Sequence, residues 1–384
     1  MSWNWQQSDW PDFRFDAERL DYAEQLFQVE SGIIVGATRY LDKDESAELK
    51  IELLSLESVS TAAIEGEYLD RPSVQSSLRQ QLGLADGGPA PKPAEAGMAE
   101  MMLDLYDNFD IRLSHQTLFG WHRMIMSGRQ DLNDLGRYRT RADPMQIVSG
   151  PIHDPRIHFE APPSSQVPKE MDRFLEWFNA TAPGRRPALP AVIRAGISHL
   201  HFESIHPFED GNGRIGRAIS EKALAQSFEQ PIVTALAETI YRNQKDYYRM
   251  LEASNNRLNA TDWLLWFAAT VIEARRLTTA RIDFLINKTR LLDDLRDKLN
   301  DRQEKVLLRM LREGPDGFKG GLSARNYASI AKASPATITR DLVDLVDKGA
   351  LRKEGELKGT RYYLAIETEP VSPVTVDDID GCRR

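Results

Sequence analysis

The sequence has almost none of the features that mark secreted, membrane-spanning or thiolate-zinc proteins. Its single cysteine, Cys382, excludes a disulfide within the chain and a structural zinc site built from several thiolates. No apolar run approaches the length of about 18 residues that a membrane-spanning helix requires. The N-terminus lacks the basic start and the apolar stretch of a signal peptide. These absences predict a cytoplasmic protein without a membrane span.

Positive charge is also in short supply, and it is unevenly distributed. The 384 residues include 58 Asp and Glu against 49 Lys and Arg, so the net charge is −9. This balance argues against a protein that covers nucleic acid with its whole surface. Residues 301–364, however, contain thirteen Lys and Arg against nine Asp and Glu, so this segment carries +4 and the remainder −13. The asymmetry indicates a separate, basic C-terminal module in a chain long enough for two or three domains.

Residues 206–217 carry the most informative pattern, His-Pro-Phe-Glu-Asp-Gly-Asn-Gly-Arg-Ile-Gly-Arg. Pro207 favours an extended or turn conformation for His206, which places the imidazole in a loop. Gly211 and Gly213 allow backbone N–H groups to surround an anion without obstruction by a Cβ atom. The apolar periodicity that follows predicts a helix whose N-terminus points at the same anion. The segment therefore has the residue types that nucleotide chemistry needs.

This segment is similar to the signature of the Fic family, H-P-F-x-(D/E)-G-N-G-R-x-x-R, at all nine of its fixed positions. Fic proteins are mostly nucleotidyl transferases that move AMP from a nucleotide to a Ser, Thr or Tyr hydroxyl of a protein. The resemblance implies a protein adenylyltransferase with ATP as its substrate and another protein as its target. It also implies a mainly α fold, in which the Fic helical bundle carries a β-hairpin flap.

The resemblance and the chemistry of the residue types together assign roles within the motif. His206 is the expected general base, because the protonation equilibrium of histidine lies close to neutral pH. Asp210 is expected to hold Mg²⁺ between the nucleotide phosphates, since a hard cation prefers carboxylate oxygen. Backbone N–H groups, the side-chain amide of the asparagine and the two guanidinium groups are expected to bind the phosphates. These nucleotide-binding residues are Gly211, Asn212, Gly213, Arg214, Gly216 and Arg217.

Two further segments complete the expected site. Residues 146–160 have β-branched and aromatic residues on both sides of a turn-rich centre, which predicts a hairpin. By resemblance this hairpin is the flap, which aligns the target through main-chain hydrogen bonds; its expected docking residues are Ile147, Val148, Ser149 and Gly150. His153 and His158 are expected to be flap or surface positions, because no third metal ligand is recognisable beside them.

The segment 240–251 has aromatic and apolar residues at helical spacing. By its position after the motif, it is similar to the nucleoside-binding helix of the family. Candidate neighbours of the adenine base are Tyr247, Tyr248 and Leu251. The same spacing is equally typical of residues that belong to the core, so both interpretations stay open.

Residues 61–66, Thr-Ala-Ala-Ile-Glu-Gly, match the inhibitory pattern of the Fic family, (S/T)-x-x-x-E-(G/N). On a helix Thr61 and Glu65 lie one turn apart on the same face, and Gly66 allows the chain to turn away. The resemblance implies that Glu65 reaches Arg217 and occupies the position of the terminal phosphate, so that the enzyme inhibits itself. The alternative is a solvated carboxylate at the end of a helix.

The patterns along the chain predict five segments. They are an N-terminal helical extension with the inhibitory helix (1–93), a Fic catalytic domain (94–276), a connecting helix (277–300), a winged helix-turn-helix (301–366) and a disordered tail (367–384). The tail prediction depends on its prolines and aspartates.

The segment 301–366 resembles a winged helix-turn-helix domain of the bacterial type. A helix that starts at Pro335 carries Thr337, Thr339 and Arg340, which suit a recognition helix in a DNA major groove. Two strands around a wing rich in glycine and lysine follow it. Winged helices also serve as protein-contact modules, so both duplex DNA and protein contact or dimerisation stay open as the role of this segment.

Two other functions compete with protein adenylylation. The first alternative is a transcriptional regulator whose Fic portion senses nucleotide. The second is an enzyme that removes AMP from modified proteins, with Glu65 orienting water. The complete motif favours the transferase, because a nucleotide sensor has no need of a general base such as His206. The resemblance also allows a homodimer.

Overall fold

The computed structural model describes residues 2–39, 41–84, 88–150, 155–228, 233–314, 318, 320–366 and 370–383. The chain is mainly helical, as the sequence predicts. It divides into two compact units: unit 1 consists of Met1–Thr278 and Ser372–Arg384, and unit 2 of Thr279–Val371. None of the described helices is both long and apolar enough to cross a membrane.

Unit 1 contains most of the helices and one hairpin. Its helices are α1 (Ala17–Thr38), α2 (Lys43–Ile64), α3 (Arg71–Gln81), α4 (Pro93–Asp107), α5 (His115–Ile125), α6 (Val167–Ala180), α7 (Ala191–Ile205), α8 (Asn212–Ala225), α9 (Leu236–Arg242) and α10 (Gln244–Ser254). Helix α11 (Thr261–Asp294) begins in unit 1 and ends in unit 2. The hairpin consists of the antiparallel strands β1 (Gln146–Ser149) and β2 (Arg156–Glu160).

Helices α7 and α8 form the centre of unit 1. Almost every residue of α7 is buried, including polar ones such as Ser198 and His199, and α8 packs directly against it. The chain between these two helices is the motif segment, so the packing of α7 on α8 determines where the motif lies. Gly196 permits a close approach of α11 to α7, because a Cβ there would lie 2.6 Å from Leu264.

Helix α2 begins and ends where its sequence predicts. Asp42 caps the N-terminus by accepting hydrogen bonds from Asp44 and Glu45, and the Glu45 carboxylate accepts one from the Asp42 N–H in return. At the other end Glu65 is the C-cap residue, and Gly66 follows with φ +77°, a conformation that favours glycine. The candidate inhibitory residues therefore lie in the last turn of a long, well-capped helix.

Two helices differ from the sequence predictions in their bounds. The helix predicted over 98–113 extends instead over Pro93–Asp107, because Pro93 occupies the first turn and Glu95 closes a capping box there. The segments 261–276 and 277–300 were predicted as separate helices. The structure has one continuous helix, α11, across the first and most of the second, since nothing in that sequence interrupts helical hydrogen bonding.

The C-terminal tail differs from the prediction of disorder. Its described residues include a short helix, α15 (Val376–Ile379), and belong to unit 1. Ile379 is fully buried, and Asp380 forms an ion pair with Arg19 at 2.7 Å. A single buried apolar side chain and a buried ion pair thus hold a segment whose composition alone favours disorder.

Unit 2 is a small helical module with its own core. After the end of α11 it contains α12 (Asp301–Leu311), α13 (Ala324–Ala331), α14 (Pro335–Asp347) and the antiparallel hairpin of β3 (Leu351–Glu354) and β4 (Arg361–Leu364). The residues of α12 that were predicted to face inward are buried: Val306, Leu307, Met310 and Leu311. This order of elements is the one that a winged helix-turn-helix would have, and that assignment stays a prediction.

Candidate functional site

His206 lies at the C-terminus of α7, in the loop where the sequence places it. Its backbone is left-handed, with φ 49° and ψ 62°, and not extended as Pro207 alone would favour. Arg139, which is buried, accounts for the difference through two hydrogen bonds. Its side-chain Nε donates to the His206 carbonyl at 2.8 Å, and its backbone N–H donates to the Pro207 carbonyl at 2.9 Å. The His-Pro turn is thus held from outside the motif.

The loop between α7 and α8 is closed by the side chain of Asn212. Its Oδ1 accepts from the Phe208 N–H and its Nδ2 donates to the Phe208 carbonyl, both at 2.9 Å. In this structure both polar atoms of the amide serve the loop, and a role of Asn212 in binding phosphate stays a prediction. Gly211 lies in the same loop with φ +81°, and a Cβ there would lie 2.5 Å from Met126. What the loop offers to an anion is its backbone N–H groups and the N-terminus of α8.

The two arginines of the motif lie buried on α8, and each contacts the end of α2 or the residues that follow it. Arg217 donates from Nη2 to the Glu65 carboxylate at 2.7 Å and from Nε to the Thr61 hydroxyl at 2.7 Å. Arg214 donates from Nη1 to the Glu67 carboxylate at 2.5 Å. The charges that would bind phosphate are thus neutralised by carboxylates of the same chain.

Electrostatics favour the pairing of Glu65 with Arg217. Burial by itself would lower the pKa of Arg217, but the charge of Glu65 and its hydrogen bond raise that pKa above its usual value. Gly213 provides the space for this pair, because a Cβ at that position would overlap Oε1 of Glu65. The side chain of Glu65 remains 30 % exposed, so it lies at the wall of a cavity and not in the core.

Asp210, the expected Mg²⁺ ligand, lies near the end of the same loop, two residues before α8. Its Oδ2 accepts from Nη1 of Arg129 at 2.9 Å, and its Oδ1 accepts from the Gly211 N–H at 2.6 Å. Within the described ranges no group of three or more His, Cys, Asp or Glu side chains is placed to hold a metal ion. A single half-exposed carboxylate fits a cation held mainly by phosphate oxygens and water, provided that Arg129 moves aside.

One cavity of about 690 Å³ is lined by part of the predicted site, although Asp210, Arg214 and Arg217 are not among its lining residues. His206 lines it from the end of α7, Gly213 from the start of α8 and Glu65 from the end of α2. The hairpin contributes Ile147, Val148 and Ser149, which are residues that the sequence assigns to the flap. The tertiary structure therefore gathers the four predicted parts of the site around one space.

The candidate adenine neighbours on α10 divide into two kinds. Tyr247, Tyr248 and Leu251 all line the cavity. Tyr247 is 1 % exposed, and its hydroxyl lies 2.8 Å from Nε2 of His199, so it belongs to the core as well. Tyr248 is 44 % exposed and donates to the Ile64 carbonyl at 3.0 Å.

The hairpin has an irregularity between Ile147 and Val148, and these two residues are 43 % and 50 % exposed. His158 on β2 ties the hairpin to α10, since its Nε2 lies 2.6 Å from the Ser149 hydroxyl and its Nδ1 lies 3.0 Å from the Glu252 carboxylate. Gly150 follows β1 with φ +93°. The tip, which includes His153, lies outside the described residues.

Gly216 does not line the cavity; it lies against α7. A Cβ at this position would be 2.6 Å from Oε1 of Glu203 and 3.4 Å from the His199 ring. The sequence interpretation assigns Gly216 to the nucleotide. In the structure Gly216 instead packs against Glu203 and His199 of α7. His201 packs among aromatic rings, including those of Trp10 and Phe174, and burial lowers its pKa to about 3.

Sequence reasoning missed three charged residues of the site: Glu67, Arg129 and Glu203. Glu67 and Arg129 lie outside the family patterns, and their contacts with Arg214 and Asp210 depend on loops whose course no local pattern predicts. Glu203 had a local signal, because it stands three residues before His206 at the end of a predicted helix.

The N-terminal segment also contacts the site. Its aromatic residues pack against the hairpin and α7. The indole of Trp5 donates to the Glu160 carbonyl at 2.7 Å, and Trp3 packs edge-on against Phe159. The buried amide of Asn4 donates to the Ser204 hydroxyl at 2.8 Å.

Comparison with known protein families agrees with this geometry. Residues 112–224 match the model of the Fic/DOC family. The chain contains a Fic domain. Residues 3–84 match a second model, a domain of unknown function named DUF4172, which covers the N-terminal segment and helix α2 of this Fic protein.

Similar proteins include two that are named adenylyltransferases. The chain is 28 % identical over 136 residues to the protein adenylyltransferase Fic of Nematostella vectensis, which is 35 % of this chain and 27 % of that protein. It is 30 % identical over 93 residues to a probable protein adenylyltransferase of Aquifex aeolicus, which is 24 % of this chain and 25 % of that protein. The chain thus spans about a quarter of the length of these relatives.

A solved structure shows the same fold. The crystal structure of a Fic family protein from Desulfovibrio desulfuricans G20 covers 94 % of this chain and 99 % of its own, with a TM-score of 0.51 and 21 % identity. The agreement supports the mainly helical fold class.

Proposed function

We propose that this Fic protein is an adenylyltransferase that transfers AMP from ATP to a hydroxyl group of a protein. The observation that carries the proposal is the cavity in which His206, the N-terminus of α8 and the exposed residues of the hairpin face one another. A base, an anion-binding site and a surface for a polypeptide are the three parts that such a reaction needs. The names of the Nematostella and Aquifex relatives support the same activity.

The chemistry assigned to His206 is proton removal. As the oxygen of the target hydroxyl forms a bond to the α-phosphorus of ATP, the imidazole accepts the hydroxyl proton. The bond between the α-phosphorus and the bridging oxygen breaks, and pyrophosphate leaves with that electron pair. His206 suits this role because it is 15 % exposed at the cavity wall and because Arg139 holds its backbone in place.

The phosphates of ATP are assigned to the backbone N–H groups at the start of α8 and to Arg214 and Arg217. Mg²⁺ would be held by Asp210, and it would supply neutralisation of phosphate charge. The nucleoside is assigned to the part of the cavity that Tyr247, Tyr248 and Leu251 line. The target is assigned to the hairpin, where strand addition along β1 would present a hydroxyl to His206.

We further propose that the chain inhibits itself through Glu65. This carboxylate forms a salt bridge with Arg217 at 2.7 Å and, with Thr61, occupies the guanidinium that would receive a phosphate. ATP that binds beside Glu65 has its α-phosphate displaced from the line of attack, and a displacement of about 1 Å costs on the order of a hundredfold in rate. Release of Glu65 would restore the transfer.

The test is transfer of label from α-labelled ATP to protein, in the presence of Mg²⁺, with the parent chain and with Glu65→Gly. A Glu65→Gly chain that labels itself or proteins of an extract, and loses this activity when His206→Ala is added, supports the proposal. A well-folded Glu65→Gly chain that binds ATP and labels nothing contradicts it. Release of AMP from a protein that was labelled beforehand, lost with Glu65→Gln, would favour the opposite reaction.

A second proposal concerns unit 2, which we assign to duplex DNA. The exposed face of α14 presents Thr339, Arg340 and Val343, and the hairpin that follows it adds the exposed Arg352 and Lys353. This combination of a helix N-capped by Ser334 and a basic hairpin suits a groove and the adjoining backbone. Contact with another protein is the outcome that a failure to bind DNA would favour.

A further inference from the structure

Glu203 lies in the last turn of α7, three residues before His206, and it belongs to no part of the recognised motif. Its Oε2 lies 3.6 Å from Nδ1 of His206. The two side chains are only 11 % and 15 % exposed, so water has little access to the space between them. A carboxylate and an imidazole that meet in a partly buried site interact more strongly than the same pair on an open surface.

Both members of this pair have a polar atom without any other partner. Within the part of the chain that the structure describes, Nδ1 of His206 and Oε1 of Glu203 are buried and form no hydrogen bond. A buried polar atom without a partner is costly, typically about 1–3 kcal/mol. Oε2 of Glu203 is the carboxylate oxygen that lies close to Nδ1 of His206, and hydrogen bonds of catalytic groups are often long until the substrate binds.

The packing of α7 on α8 makes room for this carboxylate and keeps it charged. Gly216 faces Glu203 across the helix pair, and a Cβ there would lie 2.6 Å from Oε1. Burial by itself would raise the pKa of Glu203, but its contact with His206 and the charges of His199 and Arg217 hold that pKa below its usual value. Glu203 is therefore an anion at neutral pH.

We infer that Glu203 is a positioning residue for the catalytic imidazole: it accepts the Nδ1–H of His206 and leaves Nε2 as the basic nitrogen that faces the target hydroxyl. As Nε2 takes the proton, the positive charge that develops on the ring is stabilised by the carboxylate beside Nδ1. The expected effect on the reaction rate rests on the proposed transfer of AMP. The expected tautomer of the ring does not depend on that function.

The ring tautomer is the first test, measured on the full chain by NMR with ¹⁵N-labelled histidine. The signals of His206 are identified by their loss in His206→Ala. At a pH where the ring carries a single proton, the parent chain should show it on Nδ1, and Glu203→Gln and Glu203→Leu should shift the population toward the proton on Nε2. A tautomer that is the same in the parent and in both variants would overturn the inference.

Steady-state kinetics are the second test, in the Glu65→Gly background where transfer is released. Glu203→Leu should lower kcat by roughly 10²–10⁴, the range for loss of an aligned general base, with little change in KM for ATP. The matched control is Glu176→Gln, which removes an exposed carboxylate on α6, outside the site. An unchanged kcat in both Glu203 variants, or a change confined to KM, would overturn the positioning role.

The two tests distinguish this inference from the proposed function. A Glu65→Gly chain that transfers no label contradicts adenylyl transfer, and the tautomer measurement still decides whether Glu203 positions the ring. Circular dichroism and the melting temperature identify a variant that fails to fold. If Glu203→Leu fails to fold, Glu203→Gln, which keeps the shape of the side chain, carries both measurements.

Discussion

The carboxylate of Glu65 forms a 2.7 Å salt bridge with Nη2 of Arg217, a residue 152 positions later in the chain. The same carboxylate lies where a side chain on Gly213 would have to be. A carboxylate thus lies against the loop that we assign to the phosphates, beside an arginine with the same assignment. This relationship is the reason to expect that the chain controls its own activity.

The first prediction is that Glu65→Gly increases AMP transfer, on the order of a hundredfold if misalignment of the α-phosphate is what Glu65 causes. The substitution lies at a helix end and should lower the free energy of unfolding by only about 1 kcal/mol. The measurement is the initial rate of protein labelling from α-labelled ATP. The control is Glu52→Gln, a carboxylate earlier on α2 that pairs with Arg71 and does not line the cavity. Equal rates in the parent and in Glu65→Gly would rule out this form of inhibition.

The second prediction is that His206→Ala, in the Glu65→Gly background, lowers the rate of transfer by roughly 10²–10⁴. Binding of ATP should persist, because the phosphates are held by α8 and its arginines and not by the imidazole. Isothermal titration calorimetry with ATP and Mg²⁺ separates these two quantities. The assignment of the general base is wrong if the variant labels proteins as fast as its parent.

The third prediction concerns stability and pH, through a buried carboxylate on α8. Burial raises the pKa of Glu221 to about 7, although hydrogen bonds from Thr234 and Tyr106 and the charge of Arg275 act in the opposite direction. Glu57 on α2 is fully buried as well, and burial together with the charge of Glu221 raises its pKa. A carboxyl group whose pKa is raised by folding stabilises the protein fully below its unfolded pKa. That stabilisation is lost as the pH rises through the folded value.

The melting temperature should therefore fall as the pH rises from about 4.5 to 7. Glu221→Gln should flatten this dependence, since the amide cannot ionise. Glu100→Gln is the matched control, because Glu100 is exposed on α4. Identical slopes of melting temperature against pH in the parent and in Glu221→Gln would show that burial of this carboxylate has no such effect.

The fourth prediction is that the full chain binds duplex DNA weakly and that the affinity falls steeply with salt, because released counterions drive the association. Arg340→Ala should weaken binding and lower the slope of log affinity against log salt by about 1 if the residue contacts a phosphate. Lys169→Ala, an exposed residue of α6 in unit 1, is the charge-matched control. A fluorescence titration at low salt without any binding would favour protein contact as the role of unit 2.

Local patterns account for much of the fold and for the identity of the site residues. The capping box at Asp42, the left-handed glycine at Gly66 and the hairpin of residues 146–160 were predictable because neighbours in sequence determine caps and turns. The composition of the tail predicts disorder, whereas its described residues are ordered. No local pattern could show this, because the burial of Ile379 and the ion pair of Asp380 depend on partners in α1.

The sequence by itself determined which chemical groups this protein can use: one imidazole, one loop of N–H groups, two arginines and a carboxylate one turn after a threonine. These follow from residue type and spacing. The tertiary structure decided which groups meet. In the folded chain the Asn212 amide closes its own loop by a hydrogen bond, Glu67 pairs with Arg214, and Glu203 lies beside Nδ1 of His206. Such contacts depend on how α2, α7 and α8 pack, and packing is a property of the whole core that no local pattern contains.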